Sequence, residues 1–292
     1  MPQQSLRIEL AGLCATVNTD SRKIRRHLTK QFRGFFSQRK PAFMISIVPP
    51  PRETESSGKP FLSRKGNRDF NSMRITRCGN CFLVSLGRSS PSFARASAAA
   101  MRAMEDKTEG SARTTHPERS RGEDSRRRPV TIGMIDARNG ICRLYNRPEL
   151  MTQAFVAASI LSCFQFFIMR AGGFILHASA VARNGRAFVF TGPSGSGKST
   201  VAALSRRSTV LADDLVCVRK HGSSFHAHGT PWHAANRESP AKIGAILVLR
   251  HGKSTSFEML TPGAAARELM TNISMNLFDR RMQATLLNTV SD

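Results

Sequence analysis

Apolar and polar positions follow two rhythms along this chain, one of period two and one of helical period. Leu6 to Val17 alternates unevenly and fits one or two short strands. Ser21 then stands where a helix N-cap belongs. Ile24, Leu28, Phe32 and Phe35 follow at spacings of four, four and three, an amphipathic helical stripe. Phe43 to Val48 reads as a strand that stops at Pro49-Pro50-Pro51, and residues 52–73 read as a polar loop. Arg74 to Gly87 fits a strand pair and Phe93 to Met104 an alanine-rich helix. Gly110 to Pro129 has no Leu, Ile, Val or Phe, so it has too little to bury and is expected to be a flexible linker.

From Val130 the pattern changes. Val130–Ile135 and Gly140–Tyr145 suggest a hairpin, and the apolar run Ala154–Met169 a buried helix ending at Gly172-Gly173. That run is shorter than the roughly 20 residues a bilayer-spanning helix needs, and no membrane partner is expected. Strands are predicted at Phe174–Leu176, Arg186–Thr191, Thr209–Ala212, Asp214–Arg219 and Ile243–Leu249, with helices over Lys198–Arg206 and Pro262–Asn272. Strand, glycine turn, helix and strand in this order is α/β patterning. The chain therefore reads as a basic α+β region over 1–109, a linker over 110–129 and an α/β domain over 130–292.

Charge changes the picture next. Among 292 residues, 44 Lys and Arg face 20 Asp and Glu, a net charge of +24 that points to acidic partners. Most of the excess lies before residue 150. The polar face of the first helix carries Arg22, Lys23, Arg25, Arg26, Lys30 and Arg33 with no acid among them, either a solvated basic face or a dock for an acidic partner. No aromatic platform accompanies the arginine-rich linker, so RNA binding is the weaker reading there. Six cysteines, scattered through a chain with no secretory signal at its start, favour reduced thiols in a cytoplasmic protein. Cys78 and Cys81 form a single C-x-x-C with no second pair, and read as two unrelated cysteines on or beside a strand.

The chemistry concentrates between His177 and Asp214. Gly192-Pro193-Ser194-Gly195-Ser196-Gly197-Lys198-Ser199, followed by Thr200, matches the phosphate-loop pattern G-x-x-x-x-G-K-[ST] in full. Such glycines let backbone N–H groups cradle phosphate oxygens. Lys198 is placed to reach the β- and γ-phosphates and the Ser199 hydroxyl to meet Mg²⁺. Asp213 and Asp214 end an apolar strand where a carboxylate ordinarily supports Mg²⁺. A second, adjacent carboxylate can take a proton from an incoming hydroxyl, or can be a spare acid on a plain Walker B strand.

This stretch resembles the catalytic domain of HPr kinase/phosphorylase, a bacterial serine protein kinase whose P-loop core is related to phosphoenolpyruvate carboxykinase. His177 precedes Lys198 at the family's spacing. Val181, Gly185, Thr191-Gly192, Ser194-Gly195 and Gly197-Lys198-Ser199 fall in register, and Ala212-Asp213-Asp214 closes the pattern. The resemblance implies that His177 and Lys198 are active-site groups, Ser199 a Mg²⁺ ligand, Asp214 the proton acceptor and Asp213 a metal support. Thr200 and Pro193 stand where many members carry acids, and no downstream Glu-containing segment is found, Glu238 reading as a surface residue. Phosphorylase activity is therefore not expected. The nearer likeness is to HPr kinase-like proteins found with peptide biosynthesis, including those that phosphorylate lasso precursor peptides.

The expectation is an α/β protein with a P-loop core of HPr kinase/phosphoenolpyruvate carboxykinase type. It would be a cytoplasmic kinase using ATP and Mg²⁺ to phosphorylate a Ser or Thr hydroxyl of a small protein or peptide. The basic amino-terminal part suits an acidic substrate, and a homo-oligomer is compatible. Two alternatives stand beside it: a nucleotide-binding regulatory module without transfer activity, and a P-loop protein whose basic region binds nucleic acid.

Overall fold

The computed structural model describes residues 5–49, 73–78, 81–86, 130–145, 153–205, 208–232, 240–274 and 280–292. The expected helix at 93–104 and linker at 110–129 lie outside these residues, as do Glu238 and nearly all of the expected loop at 52–73. The described chain is mixed α/β, with two mixed sheets and five helices.

The first sheet is built from β1 (Leu6–Leu10), β2 (Leu13–Thr19), β3 (Phe43–Val48), β4 (Met73–Cys78), β5 (Cys81–Leu86), β6 (Val130–Asp136) and β7 (Ile141–Tyr145). Their order across it is β1-β2-β3-β7-β6-β5-β4. β3 pairs in parallel with β2 and β7, and the other pairs are antiparallel. Cys78 and Cys81 are cross-strand partners at the ends of β4 and β5, as expected of cysteines on a strand pair. Along β3 burial alternates strictly, the one-sided pattern of a strand with one face on a core.

Helix α1 (Arg22–Gln31) begins at Ser21, whose Oγ accepts the Ile24 N–H at 3.3 Å. The sequence predicts a helical stripe through Phe35, but the helix stops sooner. Gly34 takes φ +84°, and Phe35 reaches the core from the turn that follows, its N–H bonded to the Phe32 carbonyl at 2.9 Å. Ile24, Leu28, Phe32 and Phe35 are all buried.

The second sheet is a closed five-stranded barrel of β8 (Gly173–Arg183), β9 (Arg186–Thr191), β10 (Thr209–His221), β11 (Ser224–His228) and β12 (Ala241–Val248), in the order β10-β11-β12-β9-β8. Of its five pairings, β9–β12 is parallel and the rest are antiparallel. Two strands differ from the sequence pattern. β8 continues well past Leu176, which puts His177 within a strand. β10 runs unbroken through Asp213-Asp214, because pairing with β8 carries the two polar residues across what reads as a strand end.

Helix α2 (Gln153–Arg170) lies between the sheets and unites their cores. Its Phe164 and Phe167 meet Phe43 of β3, at ring-centroid distances of 5.0 and 4.2 Å, and its Phe166 meets Phe82 of β5 at 4.8 Å. Burying one such ring contributes roughly 1.5–3 kcal/mol. Among the described residues no helix is long and apolar enough to cross a membrane. Helix α3 (Lys198–Leu204) follows the glycine turn, and α4 (Pro262–Asn272) and α5 (Arg280–Ser291) complete the described helices.

Candidate phosphate-binding and acid–base site

Three neighbouring strands of the barrel, β9, β8 and β10, bring the predicted residues to one place. In register, Ala178 of β8 lies opposite Thr191 of β9 on one side and Asp214 of β10 on the other, while Ser179 lies opposite Asp213. Thr191 Oγ1 donates to the His177 carbonyl at 3.1 Å, tying the last residue before the glycine loop to the histidine strand.

The loop needs its glycines. Gly192, Gly195 and Gly197 have φ of +139°, +81° and +95°, values that side chains rarely adopt. A Cβ on Gly192 would also stand 2.6 Å from the Leu249 carbonyl and 3.1 Å from Ser196 Oγ. Leu249 N–H bonds the Thr191 carbonyl at 2.8 Å, so the end of β12 braces the loop. Lys198 is buried, with Nζ donating to the Gly192 and Pro193 carbonyls at 2.9 and 2.8 Å. Ser196 Oγ is buried and has no hydrogen-bond partner. Ser194, Ser199 and Thr200 are exposed.

Asp213 and Asp214 have different partners. Ser179, fully buried, donates Oγ–H to Asp213 Oδ1 at 2.7 Å. His177 Nδ1 faces the Asp214 carbonyl oxygen at 2.8 Å and the Asp214 carboxylate Oδ1 at 3.1 Å. Two acceptors at one ring nitrogen make Nδ1–H the donor. Asp214 has φ +102°, a backbone state that costs of order 1–3 kcal/mol and persists only where the surroundings hold it. In a regular pleat the 214 side chain would share the face of Ala178, opposite to His177. The departure from that geometry accompanies its contact with the histidine. Both groups stay open to solvent, at 47% and 37% side-chain exposure, so a ligand can reach them.

The structure thus brings His177 of β8 to Asp214 of β10, with Asp213 next along β10 and the loop joined through Thr191. It does not bring Lys198 to either aspartate, since its ammonium is turned onto its own loop. Three further residues reach this region. Ser179 does so through strand pairing, and Thr230, just beyond β11, donates Oγ1–H to the Leu215 carbonyl at 2.7 Å. His251 lies far along the chain, yet its Nε2–H reaches the Gly195 carbonyl at 3.1 Å. Ser199 is exposed and Asp213 partly open, so both side chains are accessible to a ligand. Among the described residues, no three or more His, Cys, Asp or Glu gather as a metal-binding group.

The family model described as SynChlorMet cassette protein ScmC matches residues 141–284, which take in β7, α2 and the whole barrel. No curated protein matches the chain. The match corrects the family resemblance drawn from His177 to Asp214, because the matching family is ScmC and not an HPr kinase-like one. That resemblance rested on a short run of local motif. A phosphate loop and an aspartate pair report what a backbone segment can hold, and such a site can be grafted on more than one lineage.

Proposed function

We propose that the protein is a kinase that binds a nucleoside triphosphate, ATP, at the Gly192–Thr200 loop and transfers its terminal phosphoryl group to a hydroxyl of a small protein or peptide. The observation that carries this reading is the buried Lys198 ammonium in a loop whose three glycines have positive φ, one β-strand pairing away from a solvent-open His177–Asp214 pair. The unpartnered Ser196 Oγ supports it, as a buried hydroxyl with a hydrogen bond still to make.

In the proposed reaction the loop N–H groups and Lys198 hold the phosphate oxygens, Lys198 leaving the two loop carbonyls to do so. Asp214 accepts the proton of the substrate hydroxyl as the new oxygen–phosphorus bond forms and the bond from the terminal phosphorus to the departing ADP breaks. His177 positions Asp214 by donating Nδ1–H to it, and Ser179 holds Asp213 in one orientation. Mg²⁺, when bound, neutralises phosphate charge, and Ser199 and Asp213 are the residues to hold it. The basic face of α1 suits an acidic peptide. Four described cysteines, Cys14, Cys142, Cys163 and Cys217, are free and buried, which fits the cytoplasm as the proposed compartment.

The test combines ATP titration, with and without Mg²⁺, and incubation with labelled ATP and candidate acidic peptides. Lys198→Ala is expected to weaken ATP binding and abolish transfer. Unchanged affinity and transfer in this variant would refute the phosphate-loop assignment.

A further inference from the structure

The hairpin formed by β10 and β11 carries three histidines on one face. Arg219 lies opposite His226, Cys217 opposite His228 and His221 opposite Ser224, so His221, His226 and His228 stand on the same side of the pleat. His221 Nε2 and His228 Nε2 face one another at 3.1 Å. His226 packs edge-on against His221 with ring centroids 5.1 Å apart, and its Nδ1 is buried without a hydrogen-bond partner. Among the described residues none of the three forms a salt bridge with a carboxylate.

Imidazoles gathered without an acid have two ways to satisfy facing nitrogens. A proton can lie between them, or a cation can. Neutral imidazole nitrogens suit zinc, copper and nickel, whereas magnesium prefers oxygen. A tetrahedral zinc with ordinary bond lengths needs ligand nitrogens about 3.3 Å apart, close to the spacing present. His221 is exposed and gives access from solvent, while His228 is buried and fixed. The nearby Arg219 guanidinium is engaged by the Ala11 and Ala171 carbonyls at 2.6 and 3.4 Å, and Lys220 by the Asp292 carboxylate at 2.7 Å.

We propose that His221 and His228 bind a late first-row divalent cation such as zinc at the turn end of the β10–β11 hairpin, with water completing its coordination. The site is separate from the phosphate loop, since His221 lies seven residues beyond Asp214, about 23 Å along an extended strand. Both imidazoles are held below the ordinary histidine value. Burial lowers both, and each feels the other nearby bases, among them Arg219. Each ring is therefore neutral at pH 7 and has a lone pair to offer.

The test is calorimetric titration of the full chain, stripped of metal, with zinc alone. Parent, His221→Gln, His228→Gln and the double variant Asp213→Asn/Asp214→Asn are compared. The expected result is one zinc equivalent that survives the double aspartate substitution and weakens about tenfold or more in each histidine variant. Cobalt substitution is expected to give ligand-field absorption in the parent that His221→Gln removes. His221 is exposed, so that variant keeps its fold even if His228→Gln does not, as circular dichroism checks. Equal zinc binding in parent and His221→Gln, binding abolished by the aspartate pair alone, or no binding at all would each overturn the proposal. The pair would then be an ordinary N–H···N hydrogen bond.

Discussion

The seven-stranded sheet and the barrel each hold a carboxylate tied by a serine, and their difference separates a closed, compensated acid from an open one. Glu9 of β1 is buried, bonded by Ser37 Oγ at 2.5 Å and paired with Arg39 at 3.4 Å. Its charge is compensated where it sits, and it is nearly closed to solvent. Asp213 also takes a serine bond, pairs with no arginine among the described residues, and remains partly open. Asp214 is more exposed, and its partner is a histidine that is itself half exposed. The regular sheet keeps its acid for cohesion. The barrel, where Asp214 takes φ +102°, leaves its acids open to solvent.

The largest effect expected from breaking this contrast is at Asp214. Asp214→Asn preserves shape and the His177 contact, so ATP binding with Mg²⁺ stays near the parent's. Single-turnover transfer falls by about 10²- to 10⁴-fold, the usual contribution of a general base. Parallel loss of Mg²⁺-dependent ATP binding and transfer would make Asp214 a metal ligand instead.

Glu9→Ala should do the reverse. Leaving Ser37 without its buried acceptor costs about 1–3 kcal/mol of stability, read from denaturant melts, with ATP affinity unchanged. A loss of affinity at full stability would show that the sheet's acid also serves the site.

A smaller and graded effect sharpens the comparison from the barrel side. Burial, with His221 and Arg219 nearby, pushes His228 from 6.5 down to about 3. Between these values the unfolded chain binds a proton that the folded chain resists, so stability rises with pH across the window and falls on acidification. The slope from this group is at most about 1.4 kcal/mol per pH unit. His228→Gln should flatten the dependence of melting temperature on pH between 6 and 4.5, and an unchanged slope would remove His228 as its source.

Much of the molecule was legible in the sequence where the signal is local. Ser21 caps α1 as its position predicts, and the apolar stripe is buried as its spacing predicts. The glycine loop has the positive φ values that its composition implies. What was not legible depends on strands distant in the chain. Asp213-Asp214 reads as a strand end, because no local pattern announces that β8 will carry β10 through two charges. Val130–Tyr145 reads as the start of the second domain, yet β6 and β7 complete the first sheet by pairing with β5 and β3. Ser179 and His251 enter the site only through long-range register and a loop return. The family resemblance rested on one local stretch, whereas the matching family model spans residues 141–284.

The Lys198 ammonium spends two of its three N–H donors on neutral carbonyls of its own loop, so an anion drawn to it must compete with an intramolecular pair of acceptors. Chloride or another single-contact ion has too little to offer in exchange, whereas a polyphosphate presents several oxygens together and gains full charge attraction as well. On the proposed reading, the loop would sort anions by the number of oxygens they can present together. The same two carbonyls would then be at hand to take the lysine back as a product with fewer phosphates leaves.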